Sequence, residues 1–423
     1  MNKIVPSVRG TRDFYPQQMA LRTWLYNNIR AVSESFGYQE YEGPFLEMLE
    51  LYAAKSGEEL VKEQSYVFED RGGSLIALRP ELTPTLARMV AQKQRELIYP
   101  SRWWSFGPFW RYEKPQKGRS REFFQWNIDL MGINTPQADA ELIAIAAGFF
   151  KKVGLAPEDT RIYVNDRRLM ETQFNRIGLS GETKKVVSGL VDKRTKLSPA
   201  EWETYALEIG LSSDQLSELK DILANKDLWQ ESEEMIQLFS SMDALGISDY
   251  VEFDPNIVRG LLYYTGTVFE AFDTSGNLRR SILGGGRYDN LLADVGGESL
   301  PCTGFAMGDV VMSLILEEKG LLPTLETSPA RVLITIFSKE LENRSLALGA
   351  ELRCQGINVN CYPQAARLNK QFKFADRMGI RLVLVIGPDE SANDQVAIKD
   401  LIQGSQQVVD RAKVAGKVKE ILA

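Results

Sequence analysis

The chain has 423 residues, of which 44% are hydrophobic and 25% charged, the balance of a soluble protein that buries several cores. Fifty Lys+Arg against 57 Asp+Glu leave a formal net charge of -7, so any polyanion site is a local patch and the whole is no generic nucleic-acid coat. Histidine is absent altogether, which excludes Ser-His-Asp and Cys-His catalysis, His-ligated zinc and imidazole acid–base work.

Three cysteines, Cys302, Cys354 and Cys361, form no C-x-x-C pair and are odd in number. Reduced thiols, and hence a cytoplasmic chain, are the expectation. The opening stretch MNKIVPSVRGTRDFYP carries no apolar run of signal-peptide length, and no uninterrupted apolar stretch of about 18 residues predicts a membrane span.

In chain order, Pro16 suits a first helical turn, and Leu21, Trp24, Leu25, Ile29, Val32 and Phe36 recur at helical spacing up to the stop at Gly37. A strand-like stretch is expected over Tyr41–Pro44, followed by a hairpin with arms Ser65–Glu69 and Ser74–Leu78 and a helix over Thr83–Glu96. Strands are expected at Arg102–Glu113 and Arg121–Met131. The second places Phe124, Trp126, Ile128 and Leu130 on one face and Phe123, Gln125, Asn127 and Asp129 on the other. Such a polar row is either an exposed edge or a pocket floor, and the aromatic-rich flanks favour the floor.

Ala138–Val153 reads as a helix and Arg161–Val164 as a short strand. From 167 to 249 the texture is helical and charged, an inserted module. Strands return at Ile257–Asp273 and Leu278–Leu283, then a helix over Asp309–Lys319. Leu321–Ala330 has a linker's composition, and beyond it short apolar strands at Arg331–Phe337, Ile357–Cys361 and Arg381–Ile386 alternate with helical segments. The expected domains are 1–166 with 250–322, the insertion 167–249, a linker 323–330 and an α/β domain 331–423.

Three regions stand out chemically. Arg111–Arg121 (RYEKPQKGRSR) sets five positive charges in eleven residues of an acidic protein. A basic loop between antiparallel strands can reach a phosphate-bearing ligand, or it can be a solvated hairpin tip. Arg259 precedes Tyr263 and Tyr264, and Gly284-Gly285-Gly286 precedes Arg287-Tyr288-Asp289. A glycine triplet marks a close backbone approach or, more commonly, a turn or bulge.

Taken together, VRGTRD at Val8–Asp13, Gly43-Pro44, LRPELT at Leu78–Thr83, the basic hairpin, VRGLLYYTGTVFE and GGGRYD resemble, in order, the motifs of histidyl-tRNA synthetases, a class II aminoacyl-tRNA synthetase family. The resemblance runs along essentially the whole chain. It implies an α+β fold with an antiparallel-sheet catalytic core, a helical insertion and an α/β anticodon-binding domain. It also implies activation of L-histidine by ATP and transfer to tRNA(His), with Mg²⁺ accompanying ATP and no zinc. A homodimer with Gly43-Pro44 at its interface is implied too, and no membrane partner.

The resemblance also assigns roles. Arg111 and Arg259 would be catalytic, approaching the α-phosphate from two sides, and Glu113, Arg119 and Phe123 would bind ATP. Glu81, Thr83 and Gln125 would hold the histidine ammonium, while Asp129 and Tyr264 face its ring beside Tyr263 and Tyr288. Lys117, Arg119 and Arg121 would meet the tRNA acceptor end, and Lys370 and Lys373 its anticodon region. Lys184-Lys185 and Lys193–Lys196 in the insertion are phosphate contacts or solvated helix faces. Two departures matter. Val311 stands where class II motif 3 has its arginine, and Asp129 where glutamate is usual. The runner-up reading is a non-catalytic paralogue, the regulatory subunit of ATP phosphoribosyltransferase. With no imidazole in the protein, activity between about pH 5.5 and 7.5 is expected to follow the substrate's own ring.

Overall fold

A computed structural model describes residues 4–53, 64–194, 197–258, 263–275 and 281–423, apart from the side chains of Glu182 and Lys185. Contacts divide the chain into two units, Met1–Asp13 with Trp24–Leu322, and Phe14–Thr23 with Pro323–Ala423.

The elements in order are α1 (Pro16–Ser35), β1 (Gln39–Glu40), β2 (Leu46–Met48), α2 (Glu50–Ala53), β3 (Tyr66–Glu69), β4 (Leu75–Leu78), α3 (Thr83–Lys93), β5 (Ser101–Trp110), β6 (Glu122–Met131) and α4 (Pro136–Lys152). Then come β7 (Thr160–Asp166), five helices α5 (Arg167–Arg176), α6 (Glu182–Asp192), α7 (Pro199–Glu208), α8 (Ser213–Ala224) and α9 (Glu233–Ala244), and β8 (Val251–Phe253). The first unit closes with β9 (Thr267–Asp273), β10 (Ser281–Arg287), α10 (Leu291–Asp294), β11 (Cys302–Gly308) and α11 (Asp309–Glu318).

Among the described residues its main sheet has eight strands in the order β1-β5-β6-β11-β10-β9-β7-β8, antiparallel except where β1 meets β5 and β7 meets β8. One face of that sheet is apolar. Trp104, Trp126, Ile128, Phe269, Phe305 and Met307 form with α4 a continuous core, and Leu219, Leu238, Met242 and other buried residues of the helical segment belong to the same core. The helices of 167–249 therefore share their hydrophobic centre with the sheet.

The helices end and begin where local chemistry dictates. Thr135 caps α4 with its side chain, and Pro136 takes the first position, where a missing N–H costs nothing. Ser198 and Ser212 open α7 and α8 with reciprocal capping boxes. Gly37 and Gly320, at positive φ, stop α1 and α11.

Three expectations are corrected. Tyr41–Pro44 is not a strand: pairing falls to Gln39–Glu40 on one side and Leu46–Met48 on the other, because Pro44 cannot donate to a ladder. Of the strand expected over Ile257–Asp273, residues 259–262 lie outside the described residues, 257–258 and 263–266 are not strand, and β9 covers Thr267–Asp273. The glycine triplet is not a turn but the interior of β10, for a reason the site makes plain.

The second unit contains β12 (Val332–Ile334), α12 (Glu342–Cys354), β13 (Val359–Cys361), α13 (Leu368–Arg377), β14 (Leu382–Val385), α14 (Pro388–Ala392), β15 (Gln395–Asp400), β16 (Gln406–Asp410) and α15 (Val414–Leu422). Its strands run in the order β13-β12-β14-β15-β16, parallel at first and antiparallel from β14 onward. The antiparallel pair β15–β16 escaped the sequence reading, since Gln406–Asp410 (QQVVD) is too polar to announce a strand.

Candidate active site

Strand β6 lies in the interior of the sheet, and Asn127 and Asp129 on its polar face are buried. An exposed edge is thereby excluded. The neighbouring strands explain how polar groups can be buried without being crushed. Opposite Gln125, Asn127 and Asp129 on β11 stand Gly308, Ala306 and Gly304, and opposite Gln125 and Asn127 on β5 stand Gly107 and Ser105. On β10 the same face carries Gly284 and Gly286, paired with Ala306 and Gly304. Small residues thus stand beside most of the polar row, while Trp103 on β5 faces Asp129. The approach is close: a Cβ on Gly304 would lie 2.1 Å from Asp129 Oδ1, and one on Gly286 would lie 2.9 Å from the Tyr264 ring.

Two buried carboxylates here are each held by a tyrosine. Tyr288 Oη donates to Asp129 Oδ1 at 2.5 Å, and Tyr263 Oη to Glu81 Oε2 at 3.4 Å. The rings of Tyr263 and Tyr288 meet edge-on with centroids 5.9 Å apart, and Tyr264 packs 4.9 Å from Tyr263. Burial pushes the Asp129 carboxyl up to about 7, against the lowering pull of the Tyr288 hydrogen bond. Burial, and after it the nearby Asp129 charge, also holds the Tyr288 hydroxyl well above its ordinary value, so it stays a donor. An acceptor that titrates near neutrality is suited to a ligand that carries or sheds a proton in the same range.

On the far side of Glu81 the hairpin arginine is fixed. Arg111 Nε donates to the Pro80 carbonyl at 3.0 Å, and its guanidinium lies 5.3 Å from the Phe123 ring centroid. Glu113 is buried, with Oε2 ion-paired to Arg119 and Oε1 without a hydrogen-bond partner among the described residues. Arg121 lies 4.1 Å over Tyr112, and its backbone N–H donates to the Gly10 carbonyl, which brings the VRGTRD segment onto the hairpin. Lys117 reaches 2.8 Å to Glu318 on α11. Gln125 is half-buried on the β6 floor, and Thr83 begins α3 beside Glu81.

Other expected site residues lie elsewhere. Arg259 lies outside the described residues, as do Thr195, Lys196 and the Lys185 side chain. Lys370 and Lys373 are exposed on α13 in the second unit. In the insertion, Lys193 stands 4.6 Å over Tyr205, and Arg194 donates to Asn256 at 2.7 Å. Lys193 thus packs within the module, while Arg194 ties it to the segment after β8.

Two residues that position the site were given no role in the sequence reading. Asp309, at the head of α11, accepts from the Phe124 backbone N–H at 2.9 Å and from Arg12 at 2.8 Å, tying the N-terminal segment to the start of β6. Arg287 forms a buried ion pair with Asp139 at 2.8 Å and donates to the carbonyls of Ile133 and Thr135. Its neighbour Tyr288 owes its place to that anchor. An acidic residue at a helix start was the available signal for Asp309. Nothing in the sequence paired Arg287 with Asp139.

Among the described residues no cluster of three or more Cys, Asp and Glu is placed to hold a metal ion, and no helix is long and apolar enough to cross a membrane.

Comparison with known proteins follows the same outline. The family profile described as "Histidyl-tRNA synthetase" matches residues 10–309, and "Anticodon binding domain" matches 331–421. The histidine--tRNA ligase, chloroplastic/mitochondrial, of Arabidopsis thaliana is 38% identical over 409 residues, covering 94% of this chain and 83% of its own. The histidine--tRNA ligase of Leptospira biflexa is 36% identical, covering 98% and 97%. The crystal structure of histidyl-tRNA synthetase from Nostoc sp. PCC 7120 superposes with a TM-score of 0.82 at 28% identity, over 99% of each chain.

Proposed function

The chain belongs to the histidyl-tRNA synthetase family and is a histidine--tRNA ligase; from that premise we propose how its own residues divide the work. In the first step a histidine carboxylate oxygen bonds to the α-phosphorus of MgATP and pyrophosphate leaves. In the second, a terminal hydroxyl of tRNA(His) attacks the adenylate carbonyl and AMP leaves. Neither step needs a protein nucleophile, so the protein contributes position and charge. This suits a chain without histidine.

The observation that carries the assignment is the pair of tyrosine-held carboxylates beside the Pro80-anchored arginine. Asp129 and Tyr264 would face the imidazole, with Tyr263 and Tyr288 lining its slot, while Glu81, Thr83 and Gln125 take the ammonium. Arg111 and Arg259 would draw the α-phosphate and the carboxylate together. Phe123 would stack on adenine. Glu113 would accept from the adenine amino group once Arg119 leaves it for a phosphate. Lys117, Arg119 and Arg121 would then border the path of the tRNA acceptor end, and Lys370 and Lys373 would meet the anticodon region through phosphate contacts.

The three-stranded sheet β2-β4-β3 supports a homodimer. Leu46, Met48, Tyr66, Phe68, Ile76 and Leu78 share one face in the pairing register, and Leu46, Met48 and Phe68 are 47%, 43% and 45% exposed. An apolar sheet face directly after Gly43-Pro44 is what a second copy would cover. The free thiols of Cys302, Cys354 and Cys361 suit the cytoplasm. The regulatory-subunit alternative is not favoured: the curated relatives, matched over nearly the full chain, are named histidine--tRNA ligase.

Attachment of labelled histidine to a tRNA(His) transcript tests the assignment. Wild type should charge it, and Arg111→Ala should lower the rate by at least about a hundredfold, the usual weight of one transition-state charge contact. An unchanged rate in Arg111→Ala would remove Arg111 from the mechanism.

A further inference from the structure

Arg79 takes no part in the site as assigned, yet it is fully buried, with a relative exposure of 0%. A buried guanidinium is costly unless its protons and charge are met on every side. Here Nε donates to the Pro108 carbonyl at 2.9 Å, and Nη1 donates to Glu42 at 2.5 Å and to the Gly43 carbonyl at 3.1 Å. Nη2 has no hydrogen-bond partner among the described residues. What meets the remaining charge is aromatic: the guanidinium lies 4.6 Å from the Phe45 ring centroid and 4.5 Å from that of Phe109. Two ring faces on one planar cation are a favourable, desolvated arrangement. The space for it is made by Gly107, where a Cβ would fall 2.4 Å from Nη2.

The column does not stop there. Phe109 stacks on Phe123 with centroids 6.1 Å apart and planes 29° from parallel, and the Arg111 guanidinium lies 5.3 Å from the Phe123 ring. The order Phe45, Arg79, Phe109, Phe123, Arg111 is therefore one continuous run of rings and cations, with Phe109 and Phe123 in direct ring-to-ring contact. It leads from the segment after Gly43-Pro44 to the two groups assigned to ATP. The backbone reinforces it: Arg79 N–H donates to the Phe45 carbonyl, Trp110 N–H donates to the Arg79 carbonyl, and Arg111 Nε donates to the carbonyl of the next residue, Pro80. A five-membered column with hydrogen bonds at both flanks leaves Phe123 and Arg111 little freedom to tilt.

We propose that Arg79 is a positioning residue for the activation step, fixing the plane of Phe123 and the reach of Arg111 through Phe109. The proposal rests on the reading of Phe123 and Arg111 as the ATP side of the site. Its charge does not touch the substrate; it acts by holding the ring on which Phe123 rests. The residues assigned to the histidine ring and ammonium, Asp129 with Tyr288 and Glu81 with Tyr263, lie outside the column, which would meet histidine only at its carboxylate through Arg111.

That separation gives the test a readout that mere loss of fold does not produce. Histidine-dependent ATP–pyrophosphate exchange is measured for wild type, Phe109→Leu, Arg79→Lys and Arg111→Ala, with thermal unfolding alongside. Phe109→Leu breaks the column while leaving every Arg79 hydrogen bond in place. Arg79→Lys keeps the charge and loses the planar fork. Each should raise the KM for ATP about tenfold, as expected for a desolvated cation–π contact, with the KM for histidine changed less than about twofold. The double variant should be little worse than the poorer single one, because both cut one column. A folded Phe109→Leu with the wild-type KM for ATP overturns the proposal, and so does an equal rise in both KM values. Should one variant fail to fold, the other decides. Wild-type exchange by Arg111→Ala would instead refute the ATP-side reading, and this inference with it.

Discussion

Tyr288 Oη donates to Asp129 Oδ1 at 2.5 Å, both groups being buried, and burial pushes the Asp129 carboxyl up to about 7. Beside the substrate's imidazole, which the sequence reading expects activity chiefly to follow near neutrality, this places a protein carboxyl raised into the same range. With the imidazole placed against Asp129 as proposed, the ring and the carboxyl would compete for one proton and titrate as a unit.

Histidine binding should therefore be bell-shaped in pH. Binding weakens at low pH, where ring and carboxyl are both protonated, and at high pH, where neither is. The KM for histidine should be lowest between the ring's ordinary pKa of about 6.5 and about 7 or slightly above. In Asp129→Asn the alkaline rise should vanish and only the acid limb remain. Stability follows the same group. Its folded pKa is raised, so its contribution is complete below about pH 4 and is lost as pH rises through about 7. Wild type should gain on Asp129→Asn in thermal unfolding between pH 8 and pH 5. Identical pH profiles for the two proteins would contradict the assignment.

Gly304 sits across the β6–β11 ladder from Asp129, and its absent Cβ is what admits the carboxyl. In Gly304→Ala the methyl would fall 2.1 Å from Oδ1 and 2.6 Å from the Ile128 carbonyl. The KM for histidine should rise by tenfold or more, since forced repacking costs about 1–3 kcal/mol. The KM for ATP should move little. Steady-state exchange kinetics in each substrate check it.

The Arg287–Asp139 pair is 1% and 2% exposed. Removing one partner leaves a buried charge, so Arg287→Met should lower stability by about 3–5 kcal/mol. Arg287→Met combined with Asp139→Leu should recover part of that loss. Denaturant unfolding of the two variants distinguishes a lost charge partner from a lost volume.

Leu46 and Phe68 are placed to test the dimer. Glutamate at either would put an unpaired charge on the apolar face of the β2-β4-β3 sheet. At about 2–3 kcal/mol per unpaired buried charge, dissociation should become about a hundredfold easier. Sedimentation of Leu46→Glu and Phe68→Glu beside wild type measures it, and an unchanged assembly would move the interface elsewhere.

Much of the fold was legible because hydrophobic period and turn chemistry agreed along the chain. The Ser65–Leu78 hairpin, the α1 and α11 stops and the alternation of β6 all appear where the sequence placed them. The polar row Gln125, Asn127, Asp129 was legible too, because alternation fixes which side chains share a face. What alternation could not show was the complement on other strands. Gly304, Ala306 and Gly308 acquire meaning only when register sets them opposite that row, and the same holds for Gly286 under Tyr264. Arg79 reads in sequence as part of a motif, but its rings come from residues 34 positions upstream and 30 downstream. Long-range pairing, not local propensity, made those contacts.

Histidine activation is tested most directly by ATP–pyrophosphate exchange with each amino acid in turn and a control with none. Exchange is expected with histidine alone, which would also show that valine at position 311 is compatible with activation. A folded protein that binds histidine and gives no exchange would contradict it.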